Sequence, residues 1–348
     1  MADNLLTKTL VIDKPDEVLG GTWRLAPDFF GTAIDVRSRG FKTAADFVLV
    51  GHPDVQGDAP WGPKMPGLRP GGIQFTKSSS GEDLGGIDLQ GQVCGFPGAG
   101  VNLCGGITGA RIRLTVSRVW LGLACGGVRY SEKAKANEWV ESTGIVVDEF
   151  VAHDAWPYGH PAVLHLTNCL GTRIRHVRGW DFGTIKLSYR FDGTTLMDVE
   201  CDGLNFQPSV NLGAVEWAPT ERQNAEVQGR CRFTASIGNR ELPRNTIQMT
   251  DNCGLFGQSA VVVSQALDAH GEWCQGAGIA CGPYRDRVLN PIVNISGWTF
   301  RNFSAPIGGA PHPVAALHLS AASKVEPSEE VFSFVNTFVG CEAIYRNL

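Results

Sequence analysis

An all-β solenoid, with short parallel strands winding coil upon coil and loops projecting from the turns, is the fold this sequence predicts. Three observations carry the prediction. Alternating apolar residues recur over roughly five to seven positions, break at Gly, Asn or Pro, and resume roughly 20 to 30 residues later. No sustained helical periodicity separates these segments. Hairpin dipeptides are scarce: Asp192-Gly193 and Asp202-Gly203 are too few for an antiparallel meander of many strands. Trp180-Asp181 matches the propeller dipeptide only once, which gives no blade repeat. The clearest copy of the unit is Ala162–Phe182, AVLHLTNCLGTRIRHVRGWDF, and related units start at Thr194, Ala225, Asn245, Asn290 and Glu329.

Residues 1–50 read as an N-terminal entry and capping segment. KTLVID, VLGGTWRL and TAIDVRS are each one short strand bounded by turn formers such as Pro-Asp. Residues 51–72 are crowded with Pro and Gly and predict a long loop. Residues 73–348 form the coil proper, beginning with GIQFTK, GGIDLQGQVCG, GVNLCG and ARIRLTVSRVWLGLACGGVRY as successive rungs. Residues 133–142, KAKANEWVES, are the one place where a helical turn is expected. Three further loops are expected to project, over 213–223, 271–287 and 304–313. At about 4.8 Å per coil, roughly 10 to 13 coils would make a body about 50–60 Å long with open strand edges to cover.

Composition narrows the function. The 348 residues hold 43 glycines, yet 43% of them are hydrophobic, which excludes a disordered or collagen-like chain. With a formal net charge of −5 and no Lys/Arg run, nucleic acid is not expected as a partner. Apolar stretches such as SAVVVSQAL at Ser259 fall short of the about 18 residues a membrane span needs, so no membrane insertion is expected. The start, MADNLLTKTLVIDKPDE, lacks the basic and apolar regions of a signal peptide, which predicts synthesis in the cytoplasm. The ten cysteines have no CxxC spacing and are expected as reduced, buried fillers, with Asn168-Cys169 and Asn252-Cys253 stacked at turns.

The segment LVIDKPDEVLGG at Leu10, the Ala162–Phe182 unit and NISGWTFRNFS at Asn294 give the chain a family likeness. It resembles the right-handed parallel β-helix superfamily that includes pectate lyases, polygalacturonases and bacteriophage tailspikes. The resemblance implies a right-handed parallel β-helix. Its tailspike branch implies a homotrimeric virion protein: a tailspike, tail-fibre or capsid-decoration subunit, made in the host cytoplasm, with other virion proteins and host surface polysaccharide as partners. The polygalacturonase set of NTD, DD, GHG and RIK is missing, apart from a faint likeness of Arg173-Ile174-Arg175 to the last. No catalytic residue is therefore carried over from that family.

Two groups of residues could carry chemistry. In LMDVECDGL, Asp198, Glu200 and Asp202 alternate. On one extended strand, Asp198 and Glu200 would stand about 6.5–7 Å apart, within the range of paired glycosidase carboxylates. These three are the candidate catalytic residues of an alternative function, a polysaccharide depolymerase acting as lyase or glycoside hydrolase. Their ordinary reading is a solvated strand face. In VVDEFVAHDAWPYGHP, Asp154, Trp156 and Tyr158, joined by Trp180 and Asp181 one coil on, are the candidate glycan-binding residues. A sugar ring packs its apolar face on an aromatic ring while its hydroxyls need acceptors. Their ordinary reading is a turn whose aromatics pack on the coil below. His153, Asp154, His160 and His165 follow no ligand spacing, so no metal is expected. P-loop, GxGxxG, HExxH and GxSxG motifs are absent from the sequence, and no cofactor is expected.

Overall fold

The computed structural model describes residues 3–55, 69–76, 84–131, 136–156, 161–208, 210–212, 215–217, 219–234, 246–249, 253–258, 261–263, 279–281, 292–301, 317–319, 332–339 and 345–347. The chain divides into two compact units, residues 1–178 and 179–348. Each is an all-β parallel helix.

In the first unit three short strands make one coil. These are β1 (Asn4–Leu6), β2 (Leu10–Ile12) and β3 (Val18–Leu19), followed by β4 (Thr22–Leu25), β5 (Ile34–Val36) and β6 (Lys42–Thr43). Next come β7 (Val48–Val50), β8 (Ile73–Phe75), β9 (Gly85–Leu103) and β10 (Thr108–Cys125). β9 and β10 are long because each bends through all three sides of its coil: β9 pairs β6 through Asp88, β7 through Gln92–Cys94 and β8 through Val101 and Asn102. β13 (Ser142–Asp148), β14 (Val151–His153), β15 (Ala162–Thr167), β16 (Cys169–Leu170) and β17 (Arg173–Arg175) complete the coil, and every one of these pairings is parallel. The first sheet is thus β3, β6, the start of β9, the start of β10, β13 and β17. Within residues 1–50, the expected entry segment, the chain from Asn4 to Val50 is itself wound as strands of these sheets.

The alternation read from the sequence has a direct structural cause. Successive side chains of a strand point to opposite faces, so every second residue enters the core. Leu89, Ile112, Val147 and Ile174 stand in register on neighbouring strands and are fully buried, one aliphatic ladder of the first sheet. Each such side chain contributes about 1.5–3 kcal/mol relative to leaving it in water. Phe41 and Phe75 add an edge-to-face contact, with centroids 6.0 Å apart.

One corner of this unit is a column of glycines. Gly40, Gly86, Gly109, Gly144 and Gly171 all have left-handed φ, between 58° and 85°, and stand on successive coils. A left-handed corner costs an ordinary residue about 1–2 kcal/mol, and glycine avoids that cost.

In the second unit, β18 (Arg178–Ser188), β19 (Thr194–Met197), β20 (Glu200–Gln207), β23 (Gln223–Gln228), β24 (Arg232–Thr234) and β25 (Ile247–Met249) begin the coils. β26 (Cys253–Gln258), β27 (Val261–Val263), β28 (Ile279–Cys281), β29 (Ile292–Arg301), β30 (Leu317–Leu319), β31 (Phe332–Val339) and β32 (Tyr345–Asn347) continue them. Leu204, Ile247, Ile279, Leu317 and Tyr345 align on five successive parallel strands. Phe191 and Phe206 pack with centroids 5.5 Å apart, and Trp298, from the NISGWTFRNFS unit, stacks on Phe233 at 6.2 Å.

Among the described residues, two antiparallel hairpins depart from the coil. β11 (Val128–Ser131) pairs with β12 (Ala136–Trp139), and β21 (Val210–Leu212) with β22 (Val215–Trp217). The helical turn expected over 133–142 is corrected accordingly: Ala136–Trp139 is strand, because pairing with Val128–Ser131 satisfies its backbone. The loop expected over 213–223 contains β22 and the start of β23. Ile279–Cys281, inside the loop expected over 271–287, is a coil strand paired on both sides. Residues 56–68, 304–313 and the rest of 271–287 lie outside the described residues, as does Asn252.

Candidate functional site

The candidate carboxylates of LMDVECDGL do not share one extended strand. Asp198 has φ 52°, in the left-handed region, and sits at the corner between β19 and β20. Asp and Asn tolerate that conformation better than most residues. The spacing of about 6.5–7 Å expected of a continuous strand therefore does not apply. Asp198 Oδ1 accepts the backbone N–H of Arg230 at 2.8 Å, tying its corner to the next coil. Val199 and Cys201 point into the core as expected, both fully buried. Glu200 is half-buried on the outward side, in register with Arg232, while Asp202 is buried at 4% exposure. Burial pushes the Cys201 thiol well up, in keeping with an inert filler.

Asp198→Ala is expected to cost about 1 kcal/mol, the worth of the lost hydrogen bond with some corner strain, whereas Asp198→Asn, which keeps an acceptor, stays near wild type. Urea unfolding of the two variants checks the difference.

The second group separates in the same way. Trp156 is 1% exposed and its backbone N–H is bound by Val119 O at 2.9 Å, so its ring belongs to the core and offers no face to a sugar. Asp154 is exposed at a left-handed corner, its side chain 3.0 Å from His153 Nδ1 and its carbonyl accepting Arg118 N–H. Tyr158 and the side chains of Trp180 and Asp181 lie outside the described residues. Among the described residues no group of three or more His, Cys, Asp or Glu could hold a metal ion. Cys94, Cys104, Cys125, Cys169, Cys201, Cys231 and Cys253 form no disulfide, and the last five of them are buried.

The densest polar arrangement is one the sequence reading passed over. Asp148, at the end of β13, is buried to 7% exposure on the outward side of the first sheet. Arg175 Nη2 donates to Oδ2 at 2.8 Å, His176 Nδ1 lies 3.0 Å from Oδ1, and Arg111 Nη2 stands 3.8 Å away. Burial alone would push this carboxyl up. The His176 hydrogen bond and the charges of Arg175, His176 and Arg111 outweigh it, and Asp148 is held below its ordinary value. Two coils earlier, Arg113 Nη2 grips both oxygens of Asp88 at 2.9 and 3.2 Å. The signal was present in the sequence as a repeated tripeptide: Arg111-Ile112-Arg113 and Arg173-Ile174-Arg175 put both isoleucines inward and all four arginines outward. Because the cations are spread one per two residues over separate strands, no basic run announces them.

A carboxylate with a depressed folded pKa stabilises the fold above its unfolded pKa, about 3.9, and that contribution is lost as pH falls through the lower folded value. Asp148→Asn is accordingly expected to flatten the acid side of a melting-temperature profile below about pH 4 while leaving its shape near pH 7 unchanged.

The architecture and these corners define a parallel β-helix whose conspicuous polar groups lie on the outer sides of its coils. No family model matches the chain, and no curated protein sequence does. Among solved structures it is similar to the crystal structure of Dettilon tailspike protein, at 10% identity and a TM-score of 0.49, with 96% of this chain covered. The chain spans 60% of the length of that tailspike chain.

Proposed function

We propose that this chain is a structural and adhesive subunit of a bacteriophage virion: a tailspike, tail-fibre or capsid-decoration protein. In this reading it is made in the host cytoplasm, assembles as a homotrimer with other virion proteins, and meets host surface polysaccharide with the outer sides of its coils. The observation that carries the reading is the structural employment of the groups that looked chemical. Asp198 holds the corner before Arg230 and Trp156 is core, while the densest polar cluster, Asp148 with Arg175 and His176, joins coils. What faces outward is a set of regular side-chain columns, which suit many weak contacts along a repeating polymer. A trimer also gives exposed strand edges a partner to cover them.

Light scattering of the purified chain at micromolar concentration is expected to give three times the monomer mass, and a monomer would remove the trimer from the proposal. On a panel of capsular and cell-wall polysaccharides, binding without release of reducing ends or unsaturated products is expected. Turnover that Glu200→Gln abolishes without a change in melting temperature would replace the adhesive reading with the depolymerase one.

A further inference from the structure

We infer that the first sheet of residues 1–178 is a binding site for an acidic polysaccharide whose charges recur about once per disaccharide, with Lys42, Arg111 and Arg173 as its contact residues. The inference rests on the adhesive reading above and names the polymer that reading leaves open.

The strand register places Val18, Lys42, Asp88, Arg111, Val146 and Arg173 in one outward column across six adjacent parallel strands. Neighbouring strands lie about 4.8 Å apart, so the three cations fall on alternate strands at about 9.6 Å intervals. That interval is close to the length of two linked sugar rings. The cations are also available. Lys42 and Arg173 are exposed and carry no side-chain hydrogen bond or ion pair among the described residues, and the Arg111 side chain is 52% exposed.

Two residues further along the strands, Arg113 and Arg175 are held by Asp88 and Asp148. These pairs fix the ground beneath the outer column and limit the charge they add to it. Five cationic side chains nevertheless meet two carboxylates on this face, in a chain whose formal net charge is −5. The guanidinium fork matches a carboxylate or sulfate geometrically and loses little freedom on binding one. Val146, between Arg111 and Arg173, and Val18, beside Lys42 at the end of the column, offer apolar ground to the faces of sugar rings, while Asp88 stands between Lys42 and Arg111. Neither column carries an aromatic side chain, and single-stranded nucleic acid sites interleave their cations with aromatic rings on which bases stack. The chemistry therefore favours a charged polysaccharide over a nucleic acid.

The test is calorimetric titration of the full chain with polygalacturonate, heparin, neutral dextran, the neutral and acidic members of a capsular glycan panel, and duplex DNA. Wild type is compared with the triple variant Lys42→Gln, Arg111→Gln, Arg173→Gln, and with a control triple of equal charge change at exposed positions elsewhere, Lys8→Gln, Arg39→Gln, Arg230→Gln. Polygalacturonate or heparin is expected to bind, more weakly as salt rises, and to lose at least about tenfold in the first triple and less than about twofold in the control. Melting temperatures are expected to match wild type. Arg173→Gln alone, at an exposed side chain without partners among the described residues, is expected to weaken binding by about twofold to threefold. Equal losses in both triples, or none in either, would overturn the site. Binding confined to neutral glycans would overturn the acidic polymer and leave the adhesive reading standing. Tighter binding of duplex DNA than of either acidic polysaccharide would overturn the choice of polymer, and failure of every glycan to bind would overturn both proposals.

Discussion

Replacing Phe150 by alanine is expected to destabilise the chain by about 3–5 kcal/mol, the usual cost of removing a buried aromatic ring whose site cannot collapse. Phe150 is fully buried between β13 and β14, and its carbonyl accepts the Arg178 N–H. The neighbours have little to give. A Cβ placed on Gly122 would lie 3.1 Å from the Phe150 ring and 2.4 Å from the carbonyl oxygen of Val163. Gly122 is therefore glycine because ring and backbone already fill its side-chain space, and removing the ring leaves a void that glycine cannot fill. Phe150→Leu, which keeps most of the volume, is expected to cost about 1.5 kcal/mol. Urea unfolding measures both, and a loss below about 1 kcal/mol for the alanine variant would show the ring to be loosely held.

Gly144→Val is expected to cost about 2–3 kcal/mol, because it combines a left-handed φ with a tight contact against backbone. Gly144 has φ 66°, and a Cβ there would meet the Cα and N of Gly109 at 3.3 Å. Gly171 supplies the control. Its φ is 58°, but a Cβ on it would have nothing within 4 Å. Gly171→Ala is expected to pay the conformational cost alone, about 1 kcal/mol, and Gly171→Asn less, since Asn visits this region more readily. If Gly144→Ala and Gly171→Ala cost the same, the stacking of glycine on glycine contributes nothing to the corner.

The architecture was legible because its cause is local and repeated. Alternation along Gln223–Gln228 or Arg173–Arg175 marks an inward and an outward side wherever a strand is half-buried, and recurrence of the unit marks stacking. What failed to show was the location of the corners. Asp198 has the same flanking alternation as a strand interior, and only its left-handed φ, imposed by the turn from β19 to β20, removes it from the expected row of carboxylates. Trp156 looked like a surface ring because acidic and polar residues surround it in sequence, yet the turn after β14 carries it into the core. The outward cations escaped for a complementary reason. Lys42, Arg111 and Arg173 lie scores of residues apart in the chain, and only the pairing register brings them into line. Composition cannot register a pattern that runs across strands.

The long passage of β9 and β10 through all three sheets means that Asp88 stands between Lys42 and Arg111 as one step of a staircase. A molecule assembled in such steps changes size in whole treads. Excising one complete circuit would let Lys42 and Arg111 become immediate neighbours with every apolar residue still facing inward, whereas losing a single residue would turn the remainder of that strand inside out. Lineages of this chain should therefore differ in height by entire circuits, and each such change would reset the interval between the charges on its outer wall.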